Sequence, residues 1–279
     1  MKLNERDFLY LYLSSNIIDM SYVSSTKSIV FFIFLFVFNA SLLAQIDPVT
    51  SPDKRISLKV STENQISWTV TLDEVTVIES ASISMTMDKG RFLGIKPVVK
   101  KVKVEAKEEV FEPQIPHRDA RIESKFNEMI LDFKGAYQIK FRVYNDGVAY
   151  RFKDYSKKTT AVYEEELSLR FPEAAKTFFP QEESMYSHNE RIYFHKPVAE
   201  LEQDDFCSLP VMFENKTSKV LFTEASLHDY PGMFLRYGGN NVLQADFPKY
   251  VLKAVANQAQ SPDRNQILEE EADYIAKVS

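Results

Sequence analysis

An all-β sandwich of mostly antiparallel strands is the fold class this sequence predicts, and three observations carry that reading. Apolar and polar residues alternate with period two in run after run from Ile56 onward, the pattern of strands that bury one face. About ten such strand candidates fall between residues 56 and 225, close enough together for a sandwich of short strands. Amphipathic stretches of ten or more residues between those candidates are missing, which excludes a complete α/β barrel.

The first segment is an address rather than a domain. Residues 29–38 read IVFFIFLFVF, preceded by Lys27 and followed by NASLLAQ, with the small Ala44 just before Gln45. A charged residue, an apolar stretch and a small-residue exit make a secretory signal pattern. As a helix, residues 29–44 reach only about 24 Å, short of the ~30 Å hydrocarbon core that a membrane span must cross. Cleavage after Ala44 is therefore expected, making 1–44 the signal peptide and Gln45 the first mature residue. The stretch before the apolar run is unusually long, and Met20, followed by SYVSSTK, would make a conventional start.

The strands then follow in order. ISLKV (56–60) comes first, and QISWTVTL (65–72) places Ile66, Trp68, Val70 and Leu72 on one face, with Trp68 interior. VTVIE (75–79) and ISMTM (83–87) read as two further strands. The same period returns in VVKKVKVEA (98–106), EMILDF (128–133), YQIKFRVYN (137–145), VAYRF (148–152), EEELSLRF (164–171) and KVLFTEA (219–225). Asn145-Asp146-Gly147 joins two of them as a hairpin turn, because Asp-Gly tolerates the positive φ that such turns require. Helix is expected only in PVAELEQ (197–203) and NQILEEEADYIAK (265–277), and in the latter Tyr274 to Val278 suits a strand equally well.

Composition narrows the function. With 34 Lys and Arg against 40 Asp and Glu the formal net charge is -6, so no overall positive field exists to condense onto phosphates, and nucleic acid is not an expected partner. Only 7 glycines argue against Gly-rich nucleotide-binding loops. The single cysteine, Cys207, excludes an internal disulfide and a thiolate metal cluster, and it reads as a small buried apolar residue. Pairs and runs of glutamate (Glu108-Glu109, Glu164 to Glu166, Glu182-Glu183, Glu269 to Glu271) read as solvated faces, and none is assigned a catalytic role.

The stretch GAYQIKFRVYNDGVAYRF (135–152), introduced by NEMILDF (127–133), resembles the amino-terminal domain of glycoside hydrolase family 97, which includes bacterial α-glucosidases and α-galactosidases. The resemblance continues, in order, through SPDKRISLKV (51–60), residues 178–214, FTEASLHDYPGMFL (222–235) and ADYIAKVS (272–279). It implies a β-super-sandwich similar to galactose-mutarotase-like folds over residues 45–279. In the family that domain precedes a catalytic (β/α)8 barrel, which carries the acid, base or nucleophilic carboxylates and is absent from this chain. The resemblance thus implies no catalytic residue here, and an architectural part in a periplasmic or secreted enzyme acting on an oligosaccharide or α-glycoside.

Residues 180–195, PQEESMYSHNERIYFH, gather carboxylates, two imidazoles and two tyrosines, a composition typical of loops that line sites. Family 97 enzymes resemble one another in holding a calcium ion with barrel carboxylates and one Glu from the amino-terminal domain. Asn189-Glu190-Arg191-Ile192-Tyr193, before Pro197 and Leu201, is the matching stretch, which makes Glu190 the implied ligand. Asn189 stands where the family has an aromatic residue, so a shifted register would give the role to Glu183 or Glu182. The bland alternative is an ion pair of Glu190 with Arg191 or another surface Arg. Calcium takes about 6–8 oxygen ligands, so one Glu cannot hold it alone. Glu183, Tyr186, His188, Tyr193 and His195 are expected on the rim of the substrate pocket.

Two other functions fit the same residues. A self-sufficient mutarotase-like enzyme would use His188 or His195 with a carboxylate as acid and base on a sugar hydroxyl. A free-standing carbohydrate-binding module would offer Tyr186, Tyr193, Tyr230 and Phe234 as flat faces to sugar CH groups. Asn215-Lys216-Thr217 matches a glycosylation acceptor, a reading that requires a eukaryotic secretory pathway.

Overall fold

Serines and threonines interleaved with large apolar residues give this chain strands with one dry and one wet face. The computed structural model describes residues 46–115, 118–188, 190–225, 227–259 and 266–278. The apolar run 29–38 and the expected cleavage point after Ala44 lie outside them. In chain order the strands are β1 (Val49–Thr50), β2 (Ile56–Ser61), β3 (Ile66–Leu72), β4 (Val75–Met87), β5 (Arg91–Leu93), β6 (Val99–Phe111) and β7 (Ile122–Phe133). Then come β8 (Tyr137–Tyr144), β9 (Val148–Asp154), β10 (Thr160–Arg170), β11 (Lys176–Pro180), β12 (Tyr193–Pro197), β13 (Phe206–Cys207) and β14 (Val211–Glu214). The last are β15 (Lys219–Phe222), β16 (Phe234–Tyr237), β17 (Val242–Asp246), β18 (Val251–Ala256), β19 (Gln266–Glu271) and β20 (Ala276–Val278).

These strands form antiparallel sheets, as an all-β sandwich requires. The largest runs β1-β2-β3-β4-β10-β17-β16-β13, with β5 on β4 and β20 on β10. Its register aligns Val60, Trp68, Ala81, Leu169, Leu243 and Tyr237 across neighbouring strands or in successive rows of one face, and all six are buried. A meander, β6-β7-β8-β9, lies over that face: Trp68 meets Phe141 edge-on at 5.4 Å and Tyr150 at 5.2 Å. A third sheet, β12-β11-β14-β15, joins the same core through Phe171 stacked on Phe213 at 3.8 Å. Trp68 and Cys207 are both interior, as their sequence neighbours indicated.

Several elements differ from the sequence-based expectation. The two runs around Ser80 form one 13-residue strand, β4, because a register shift opposite Val70 absorbs the break in alternation. Strand β6 is exposed along nearly its whole length instead of half-buried; it is an edge strand, and its Lys100, Lys101, Lys103 and Lys107 suit an edge that must not recruit another chain. PVAELEQ forms only a single 3-10 turn at Val198–Glu200. Of the two conformations open to the carboxy-terminal stretch, the strand prevails: β19 pairs with β18, and β20 pairs with the start of β10. The Asn145-Asp146-Gly147 turn is as expected, with the Tyr144 amide donating to the Gly147 carbonyl at 2.8 Å.

One close approach depends on glycine. Gly94 has φ +88°, and a Cβ there would stand 2.7 Å from the Ile83 carbonyl oxygen. The Gly94 amide donates to the Tyr137 hydroxyl at 3.2 Å, tying the end of β5 to the meander.

Candidate functional site

The segment between β11 and β12 carries the candidate residues, and its geometry is set by one buried carboxylate. Glu182 follows β11 directly, its amide donates to the Phe206 carbonyl at 2.9 Å, and its side chain is wholly buried. Arg191 reaches it from the far end of the loop, with Nε donating to Oε2 at 2.7 Å. Ser208 donates its hydroxyl to Oε1 at 2.8 Å, and the Arg191 guanidinium also donates to the Ser187 hydroxyl at 2.7 Å. The carboxylate's two oxygens are therefore both committed within the domain, as a buried charge must be. Reading Glu182 as part of a solvated pair is corrected here: burying it next to β13 recruits an arginine nine residues later.

Glu190 stands beside this clamp and remains exposed. Of the alternative partners, Arg191 or another surface Arg, Arg191 directs its Nε to Glu182. Glu183 and His188 are exposed on the same loop. Tyr186 lies half-buried with its hydroxyl donating to Glu271 of β19, a contact that links the loop to the carboxy-terminal ribbon. Among the described residues, no group of three or more His, Cys, Asp or Glu side chains stands close enough to hold a metal ion.

Tyr193 and His195 occupy alternate positions of the edge strand β12 and share one face. Tyr193 donates its hydroxyl to the Pro210 carbonyl at 3.1 Å. The His195 ring stacks on Phe178 of β11 at 4.2 Å and places Nε2 2.7 Å from Glu214 of β14. Hydrogen bonding to His195 is the largest influence lowering the Glu214 pKa, with Lys219 adding to it. Glu214 was not singled out in the sequence; it meets His195 only because β12 and β14 both flank β11, a pairing no local pattern reveals. His188 is not part of this pair.

Two proposed sugar platforms are spoken for elsewhere. Phe234 is buried, and Tyr230 donates its hydroxyl to Glu165 at 2.6 Å while standing edge-on to Phe247. Glu165, though in the run Glu164 to Glu166, points to the inner face of β10 beside Leu167 and Leu169, and its desolvation raises its pKa. Asn215 accepts the Thr217 and Ser218 amides with its side-chain oxygen and so serves as the pivot of the β14–β15 turn.

Comparison with known proteins bears on this geometry. The family described as Glycosyl-hydrolase 97 N-terminal matches residues 49–278. A retaining alpha-galactosidase of Bacteroides thetaiotaomicron is 27% identical over 267 residues, covering 90% of this chain and 39% of that protein. Among solved structures, a Glycoside Hydrolase Family 97 enzyme in complex with acarbose, from Pseudoalteromonas sp. strain K8, superposes with a TM-score of 0.63 at 20% identity, over 72% of this chain and 32% of its own. A beta-arabinopyranosidase superposes with a TM-score of 0.64 at 22% identity, over 73% of this chain and 36% of its own. At such identities the structural likeness speaks for the fold. The chain spans about two-fifths of the length of the curated relative it matches.

Proposed function

The chain belongs to the Glycosyl-hydrolase 97 N-terminal family, and from that premise we propose that it is the non-catalytic, sugar-facing domain of an exported α-glycosidase. In this reading it packs on a catalytic (β/α)8 barrel, and its 180–195 segment walls the pocket for an oligosaccharide or α-glycoside. The observation that carries the reading is the clamp: Glu182, Arg191 and Ser208 satisfy one another inside the domain and leave Glu190, Glu183 and His188 turned outward. A loop held this firmly, with Glu183 and Glu190 facing solvent, suits a wall that meets a second surface.

Calcium would take Glu190 as one oxygen donor, the remaining ligands coming from the barrel. When bound, a hard divalent ion supplies positive charge that polarises a sugar or water oxygen. This chain's own part is to hold the Glu190 carboxylate at the rim, through the backbone of its neighbour Arg191. The proposed location is periplasmic or secreted, from the 29–38 apolar run.

The test is a fusion that places the catalytic portion of a family relative after Ser279. Glu190→Gln preserves shape and removes charge, so calcium affinity by titration calorimetry and hydrolysis of an aryl α-glycoside should fall together, while Glu183→Gln changes both less. Calcium affinity that survives Glu190→Gln and collapses with Glu183→Gln moves the ligand to the earlier residue; indifference to both refutes the calcium role.

A further inference from the structure

Charge is unevenly placed on this chain. The formal net charge is -6, yet residues 95–101, 134–136 and 153–158 together hold seven lysines and one acid, Asp154. These segments meet at one end of the meander β6-β7-β8-β9. The Lys134 amide donates to the Val98 carbonyl at 2.9 Å, and the Tyr155 amide donates to the Ala136 carbonyl at 3.0 Å. Lys96, Lys100 and Lys101 come from the β5–β6 connection and the start of β6, Lys134 from the β7–β8 turn, and the other three from the end of β9 and just beyond; all are exposed. Register sets Lys101, Asp132, Gln138 and Lys153 in one row on the outer face of the meander. Lys101 and Lys153 thus stand three strand spacings apart, roughly 14 Å.

The lysines are not neutralised by what surrounds them. Asp154 is paired with Arg91 at 2.5 Å, and Asp132 accepts from Gln138 Nε2 at 2.7 Å. Asp88 accepts the Ala161 amide at 3.0 Å. One further acid, Glu63, is exposed in the β2–β3 turn, where the Asn64 carbonyl accepts the Lys96 amide at 2.7 Å. Among the described residues none of the seven lysines joins an ion pair. Apolar side chains stand amid them: Ile95, Val98 and Tyr155 are 39%, 48% and 47% exposed, and Lys153 Nζ lies 5.1 Å from the centre of the Tyr155 ring.

We propose that this end of the meander docks on an anionic phospholipid bilayer, with the lysines against lipid phosphates and Ile95, Val98 and Tyr155 among the headgroups. Clustered lysines are drawn to a negatively charged membrane surface by about 1 kcal/mol each. Lysine is a flexible point charge, whereas arginine supplies the fork that fits one phosphate, so an all-lysine set suits a diffuse anionic surface better than a phosphate pocket. The apolar members distinguish a bilayer from a soluble polyanion. A polyanion offers them no place, while the headgroup region accepts aliphatic and amphipathic aromatic side chains flanked by lysines. The acidic remainder of the chain is repelled by the same surface, which orients the protein with this end down. The surface lies outside the 180–195 segment and depends neither on Glu190 nor on calcium.

The experiment floats the exported protein with vesicles of phosphatidylcholine alone or mixed with phosphatidylglycerol. Salt is set at about 0.01 M and about 1 M, where the screening length falls from ~30 Å to ~3 Å. Partition onto the anionic vesicles at low salt should exceed that onto neutral ones by about a hundredfold or more, and should collapse at high salt. Lys100→Gln, Lys101→Gln and Lys153→Gln combined should weaken it about a hundredfold, roughly fivefold per lysine. Tyr155→Ser should weaken it severalfold. Lys176→Gln, Lys216→Gln and Lys253→Gln combined change the net charge equally on other elements and should have little effect. Any contribution of the apolar run 29–38 is common to all variants and shows on the neutral vesicles. Near-identical circular dichroism and melting establish that the variants are folded. The proposal is overturned if neutral and anionic vesicles bind alike or if the two triple variants behave alike. It is equally overturned if polyphosphate binds through the same lysines while Tyr155→Ser leaves vesicle binding unchanged, which would make the partner a soluble polyanion.

Discussion

Arg191→Met should be the most informative single change in the loop, because it leaves the Glu182 carboxylate charged, wholly buried and short of its ion partner. Breaking a buried pair by removing one member costs about 3–5 kcal/mol. The Arg191 side chain is 20% exposed, so water can follow the truncated side chain toward Glu182, and Ser208 still donates at 2.8 Å. Both facts place the expected loss at the lower end, about 3 kcal/mol. Glu182→Gln removes the charge from the buried side and leaves the arginine a path to water, so about 1–2 kcal/mol is expected. The double variant Glu182→Leu with Arg191→Met replaces the pair by apolar groups and should lose less than the sum of the two single changes. Urea unfolding monitored by tryptophan fluorescence, with Trp68 as the single reporter, measures all of these. An Arg191→Met chain within 0.5 kcal/mol of the parent, or a double variant at or beyond the sum of the two single losses, would show that Arg191 is not what holds Glu182 in place.

Three further outcomes are expected. Burial raises the pKa of Glu165, and proximity of Glu224 raises it further, while Glu224 is itself raised by burial. A carboxyl whose folded pKa exceeds its unfolded value holds its proton more tightly when folded, so this contribution is fully present below the unfolded pKa and is lost as pH rises through the folded one. Glu165→Gln should therefore flatten the fall in stability on the alkaline side of the carboxylate range, which urea midpoints between pH 4 and pH 8 would register; an unchanged slope would contradict the burial argument. Gly94→Ala combines a left-handed backbone at φ +88° with a Cβ 2.7 Å from the Ile83 oxygen, and a loss of more than about 2 kcal/mol is expected in thermal unfolding. Intact-mass analysis of exported protein should find Gln45 as its first residue, and recovery of the uncleaved chain in membranes would favour an anchor instead.

How much of this was legible in the sequence depends on the range of the interaction. Period-two alternation is local, so the strands β2, β3, β8, β9 and β10 and the Asn145-Asp146-Gly147 hairpin could be read directly, and Trp68 could be placed inside from its neighbours Ile66 and Val70. The ordered set of stretches from 51 to 279 was enough to point to the family. Burial of β6 could not be read, since alternation says which side chains share a face and not whether another layer covers that face. The ambiguous carboxy-terminal stretch became strands because β18 and β10 offered it partners, a decision made by hydrogen bonds to residues far away in sequence.

The site divides along the same line. Sequence alone determined that residues 180–195 concentrate carboxylates, imidazoles and tyrosines on one connection, because composition is local. Only the tertiary structure decided which of those groups are free to act: Glu182 is sealed inside by Ser208, His195 is joined to Glu214 by the sheet, and Glu190 is left outward because Arg191 turns in. The lysine surface is the clearest case, for Lys101, Lys134 and Lys153 lie on separate elements and become neighbours only through the register of the meander. Register is set by where the whole dry face must sit against its partner layer, so a shift of one residue would have turned Lys101 or Lys153 toward the core.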